Sequence, residues 1–212
     1  MNEVPRIKAL SEVSLPHERQ GSAVVMVGSF APIHDGHFDA LYSASNALIR
    51  QGTAVESLVL TPNSTEYLSN KLASESTEWP YERRIQYIQD RPSHLSIPTY
   101  VDDISGRLAK EKQINTFVPE TIRRRLGFNA TQLYLVVGSD QLMSMEEHLS
   151  ADGRAVCVLR PGNMDQLQTQ LKVAWLTEAT ESERLIITKR SNMQHDISST
   201  AIRKMASRDK NT

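Results

Sequence analysis

Five short β-branched apolar runs punctuate the chain: "AVVMV" (23–27), "VESLVL" (55–60), "LYLVV" (133–137), "AVCVL" (155–159) and "RLIIT" (184–188). None alternates apolar with polar residues as a half-wet antiparallel strand does, and the segments between them are long enough for helices. A parallel sheet buried on both faces satisfies both facts, so the expected fold class is α/β with a doubly wound parallel sheet. Phe38, Leu41, Tyr42, Leu48 and Ile49 form one stripe of a helix that Gly52 is placed to end. "PETIRRRLGFN" (119–129) reads as a second helix, opened by Pro119 and closed by Gly127. Between Leu60 and Ile104 the chain is polar and holds Pro62, Pro80, Pro92 and Pro98, with a short helix expected at "YERRIQYIQ". Long polar segments after a sheet strand commonly form the substrate side of an α/β site.

No Pro- or Gly-rich linker and no internal repeat divides the 212 residues, so residues 22–212 are expected to form one domain. Residues 1–21 mix Glu, Arg, Lys and Pro without an apolar core and are expected as a loosely ordered arm. The 24 basic and 25 acidic residues give no global field for gripping nucleic acid or an acidic membrane. Arg123, Arg124 and Arg125 spread around a helix and read as a solvated face. Cys157 is the only cysteine and lies in an apolar run, so it reads as a small buried hydrophobe. With no disulfide and no run approaching ~20 apolar residues, the expected setting is intracellular, cytoplasmic or nuclear. No motif specifies an oligomeric state.

The most informative stretch follows the first run: "GSFAPIHDGH" (28–37). The first strand-to-helix turn of an open parallel sheet is the usual phosphate seat, and Gly28 and Gly36 let backbone come close to a bulky anion. Pro32 stiffens the turn, and His34 and His37 can donate hydrogen bonds to phosphate oxygens as charge builds on a leaving group. Zinc would need three or four ligands, and no further His or Cys stands at a ligand spacing. A second stretch, "HDISSTAIRKM" (195–205), offers another anion cradle: Ser198, Ser199 and Thr200 are N-capping types, and Arg203 one turn later leans back over them.

Together, "GSFAPIHDGH" and "ISSTAIR" resemble the motifs G-S/T-F-x-P-x-H-x-G-H and I-S-S-T-x-x-R of the nicotinamide mononucleotide adenylyltransferase family, matching every fixed position. The resemblance implies a Rossmann-like domain. It implies transfer of AMP from ATP to a pyridine mononucleotide, nicotinamide or nicotinate, giving NAD or its acid form and pyrophosphate with Mg²⁺ as cofactor. It assigns His34, His37 and Arg203 to catalysis, and Gly28, Ser29, Phe30, Gly36, Ser198, Ser199, Thr200, Gly138 and Asp140 to ATP, with Asp140 a candidate for the metal. The mononucleotide falls to Lys71, Arg83 and Tyr100, with Arg84 the next match after Arg83, and "VLRPGN" (158–163) resembles an Arg-bearing strand end. Where the family carries a Trp-Glu pair, this chain has Tyr100, Asp102 and Asp103, and carboxylates beside the pyridine would favour the amide substrate at least as much as the acid. A nucleotide sensor without chemistry and a relative with another acceptor are the competing readings.

Overall fold

Each of the five apolar runs is a strand of one sheet in the computed structural model, which describes residues 6–14, 18–72, 79–92, 96–109, 118–160 and 164–190. In chain order the strands are β1 (Lys8–Ala9), β2 (Ser22–Gly28), β3 (Val55–Pro62), β4 (Thr99–Val101), β5 (Leu133–Gly138), β6 (Arg154–Leu159) and β7 (Leu185–Lys189). They lie in the order β1-β4-β3-β2-β5-β6-β7, and every neighbouring pair is parallel. The chain winds outward from β2 through β3 to β4, then returns to the other side of β2 as β5 and winds outward again. Strand order therefore reverses between β2 and β5, and the crevice beyond their carboxyl ends is where a ligand fits an open α/β sheet.

Helices cover both faces, so the sheet is doubly wound. Helices α1 (Asp35–Arg50), α2 (Thr65–Leu72), α3 (Tyr81–Gln89) and α4 (Ser105–Leu108) precede β5, and α5 (Val118–Leu126) leads into it. After β5 come α6 (Glu146–Ser150), α7 (Met164–Gln170) and α8 (Ala174–Glu181). Successive strand residues divide between the two layers: Val24 and Met26 join Leu41, Leu48, Ile85 and Ile88 under α1 and α3. Ala23 and Val25 join Ile122 and Leu126 under α5. This two-sided burial is why the runs read as continuous rather than alternating. Gly52 (φ 84°) and Gly127 (φ 79°) take the left-handed conformation just past α1 and α5, as C-terminal stops require. Arg123 and Arg124 lie on the exposed side of α5, both bonded to Glu120.

The N-terminal segment differs from the loose arm expected. Over residues 6–14 it adds β1 to the sheet edge, pairing Lys8 with Tyr100 and Ala9 with Val101, and it buries Ile7 and Leu10. The Ser11 amide and hydroxyl both donate to Asp103, at 3.0 and 2.6 Å. Two buried apolar side chains and a paired edge hold what composition alone presents as a polar tail. Cys157 is buried in β6, where desolvation and then the charge of Asp140 push its thiol up to about 12, so it is an inert core residue. Among the described residues no helix is long and apolar enough to cross a membrane.

Candidate active site

The turn leaving β2 is tied down from several directions. The Asn63 amide at the end of β3 donates to the Gly28 carbonyl at 2.8 Å, and Arg84 of α3 donates to the Ser29 carbonyl at 2.8 Å. Phe30 stands at φ 45°, a left-handed conformation costing roughly 1–2 kcal/mol for a residue with a Cβ. Burial of its ring offsets that cost: it is 1% exposed and packs so closely on Gly28 that a Cβ there would sit 2.9 Å from a ring carbon. The Ala31–Pro32 peptide is cis, and the chain then enters α1 at His34.

His34 is the N-cap residue of α1 and His37 the third residue of the helix. The His34 amide donates to His37 Nδ1 at 3.2 Å, the return bond that a Glu would make in a capping box. Because Nδ1 accepts, the single proton of a neutral His37 sits on Nε2, which leaves that nitrogen a donor. The two imidazoles lie against each other at a 40° tilt with centroids 3.9 Å apart, and Phe30 and His37 meet in a T-shaped contact at 5.1 Å. Burial, then Arg190 and Arg160, lowers His34 from 6.5 to about 4. Burial, followed by His34 and the same arginines, holds His37 well below its usual range. Both rings are therefore neutral at pH 7, so either can offer a phosphate only a dipolar N–H and no full charge.

A stability consequence follows from the sign of these shifts. The histidines of the unfolded chain take up protons as pH falls through 6.5, while the folded rings resist protonation, down to about 4 for His34. The unfolded state then binds more protons, so stability is expected to fall as the pH drops from 6.5 toward 4. Thermal unfolding of wild type and His34→Asn across that window checks this. Wild type should lose stability more steeply, and parallel curves would contradict the assignment.

Two cavities meet at the strand-order reversal. The smaller, of about 350 Å³, is lined by Gly28, Ser29 and Phe30, by His34, Gly36 and His37, and by Gly138 and Asp140 beyond β5. Arg160 and Arg190, just past β6 and β7, close its far side, and Lys71 of α2 its near side. Three cations with Asp140 as the one carboxylate among its described lining residues suit a polyphosphate. The larger cavity, of about 670 Å³, is lined on apolar walls by Val118, Leu133, Leu135 and Met145, with Tyr67 and His148 beside them. Gly28, Ser29, Lys71 and Gln141 line both, so the two join along the β2 and β5 ends. Among the described residues no group of three or more His, Cys, Asp or Glu could hold a metal by itself.

Residues 25–205 match a family described as cytidylyltransferase-like, a span that includes both cavities and "ISSTAIR". The chain belongs to that family. It is accordingly a nucleotidyltransferase, built to bind a nucleoside triphosphate, on a Rossmann-like fold. A search of curated proteins returned no match. The smaller cavity gathers nine of the sequence-assigned residues at one crevice: Gly28, Ser29, Phe30, His34, Gly36, His37, Gly138, Asp140 and Lys71. Ser198, Ser199, Thr200 and Arg203 lie outside the described residues.

Other assignments change. Arg83 stands on the exposed side of α3 with its guanidinium 4.9 Å from the Trp79 ring centre, and Tyr100 sits within β4; neither lines these two cavities. Asp102 and Asp103 do not frame a base either. Asp102 is fully buried and accepts from the Ile104 and Ser105 amides at 3.1 and 2.9 Å and from Thr61 Oγ1 at 3.3 Å, while Asp103 holds Ser11. The charge argument for an amide substrate accordingly loses its basis. Arg190 is the lining cation that the sequence did not single out; its signal is a cation two positions past "RLIIT", as Arg160 stands one past "AVCVL".

Proposed function

We propose that the protein is an adenylyltransferase that joins the AMP moiety of ATP to a pyridine mononucleotide, nicotinamide or nicotinate mononucleotide, and releases pyrophosphate. The observation that carries this reading is the pair of neutral, adjoining imidazoles at the start of α1, opening on a cavity with Lys71, Arg160 and Arg190 around it. In this reading the triphosphate occupies the smaller cavity. The acceptor's base takes the larger, apolar one, and its phosphate lies near Gly28, Ser29 and Lys71, where the two join.

A 5′-phosphate monoester, with a second pKa near ~6, is already largely dianionic at pH 7, so its oxygen needs no general base. That oxygen attacks the α-phosphorus of ATP, the bond from the α-phosphorus to the bridging oxygen breaks, and the electron pair leaves with pyrophosphate. His37 Nε2–H meets the growing negative charge, His34 and the three cations hold the phosphates, and catalysis is positioning plus charge stabilisation. Mg²⁺ would neutralise phosphate charge here, and Asp140 with phosphate oxygens suits a hard cation that takes few ligands from the protein.

The test is incubation with ATP, Mg²⁺ and a panel of mononucleotides, following pyrophosphate and dinucleotide together. Equal release of both with a pyridine mononucleotide is the expected result. Binding of ATP without pyrophosphate would identify a sensor, and turnover confined to another acceptor would move the protein elsewhere in the family.

A further inference from the structure

Helix α3 carries two adjacent arginines that the fold separates completely. Arg83 faces solvent, whereas Arg84 is the largest fully buried side chain among the described residues. Its Nε donates to the Trp79 carbonyl at 3.1 Å and its Nη1 to the Ser29 carbonyl at 2.8 Å. Its Nη2 is buried and meets no hydrogen-bond acceptor among the described residues, and none of the ion pairs there includes it. The Tyr81 ring, 5.4 Å away, gives the cation one aromatic neighbour.

A buried guanidinium with no carboxylate in ion-pair range among the described residues is a poor stabiliser there, and well-packed apolar replacements of buried charges are often neutral or better. Desolvation pulls Arg84 down to about 10, which reflects the same penalty. Stability therefore supplies no reason for a cation here, and the reason is to be sought in what the guanidinium holds. It holds the Ser29 carbonyl, in the turn that lines both cavities. In a trans peptide the C=O and the following N–H point in opposite directions, so clamping the Ser29 carbonyl also fixes where the Phe30 amide points. Phe30 is the left-handed residue whose ring meets His37 in the T-shaped contact.

We propose that Arg84 is a positioning residue for nucleotidyl transfer: by gripping the Ser29 carbonyl it sets the Ser29–Phe30 peptide, presents the Phe30 amide to the nucleotide phosphates and keeps His37 aligned. The kinetic part of this proposal rests on the adenylyltransferase reading, and the spectroscopic part does not.

Two variants test it. Arg84→Met removes the charge while filling most of the volume, and Arg84→Lys keeps the charge but has a single nitrogen in place of the fork. With Arg84→Met the thermal midpoint is expected within a few degrees of wild type, while kcat for pyrophosphate release falls about 10–100-fold and KM for ATP moves by less than about threefold. Arg84→Lys should recover part of the loss. Nitrogen-15 NMR of the His37 ring at pH 7 reads the alignment without any turnover: wild type shows the neutral Nε2–H form, and Arg84→Met should show averaged nitrogen shifts. If wild type transfers nothing to a pyridine mononucleotide, the functional reading falls and the NMR comparison alone decides the role of Arg84. A folded variant with wild-type His37 shifts and, where wild type turns over, wild-type kcat would overturn the proposal. So would losses in both variants that track the loss of folded protein, since Arg84 would then be structural only.

Discussion

Replacing His37 with alanine is expected to lower kcat by about 10²–10³-fold, the range for deleting one preorganised donor at a developing negative charge. Its Nδ1 is committed to the His34 amide, so Nε2–H is the group left to meet that charge. Burial, His34 and the nearby arginines keep the ring neutral, so the donor persists without titrating near pH 7. The three cations that line the cavity are untouched in the variant, so in the proposed reaction KM for ATP should change far less than kcat. Steady-state pyrophosphate release measures both. Turnover near the wild-type rate would remove His37 from the chemistry and leave it as a helix cap.

Asp102→Ala is expected to destabilise the protein by about 1–4 kcal/mol, because it strands the buried Ser105 amide at roughly 1–3 kcal/mol and weakens the part-buried Ile104 amide by about 1 kcal/mol or less. Asp102 accepts from both amides at the start of α4; the Ser105 bond is buried and the Ile104 bond part-buried, so the Ser105 amide bears the larger loss. Thr61 Oγ1 loses the same carboxylate. Asp103→Asn keeps an acceptor for Ser11, the exposed partner of this pair, and should cost about 1 kcal/mol or less. Chemical denaturation of the two variants distinguishes these outcomes. Equal, small losses would return Asp102 to the role of a substrate-facing carboxylate.

The sheet was legible because both of its faces are covered, which writes each of five strands as an unbroken apolar run. β1 and β4 were less so, since strands of two and three residues carry no period, and β1 exists through its pairing with the sheet edge. At the site, the glycine-histidine turn could be read as an anion seat because its geometry is local to ten residues. Arg83 and Arg84 could be told apart only by helical phase: Tyr81, Ile85 and Ile88 mark the buried side of α3, and Arg84 falls on it. Asp102 and Asp103 misled for different reasons. The partner of Asp103, Ser11, is 92 residues away in sequence, whereas Asp102 caps the Ile104 and Ser105 amides two and three residues on, a local pattern that a substrate-facing carboxylate at the same position would not need.

The edge pairing of β1 also bears on how the chain comes to be folded as it is made. Ser11 and Asp103 are 92 residues apart, so at ~5–20 residues per second the N-terminal segment waits roughly 5–20 s on the ribosome for its partner to be synthesised. During that interval Ile7 and Leu10 have no sheet edge to cover, while β2 can already pair with β3. This segment is thus placed only after the three strands inward of it exist, and the nascent chain carries two uncovered apolar side chains until then.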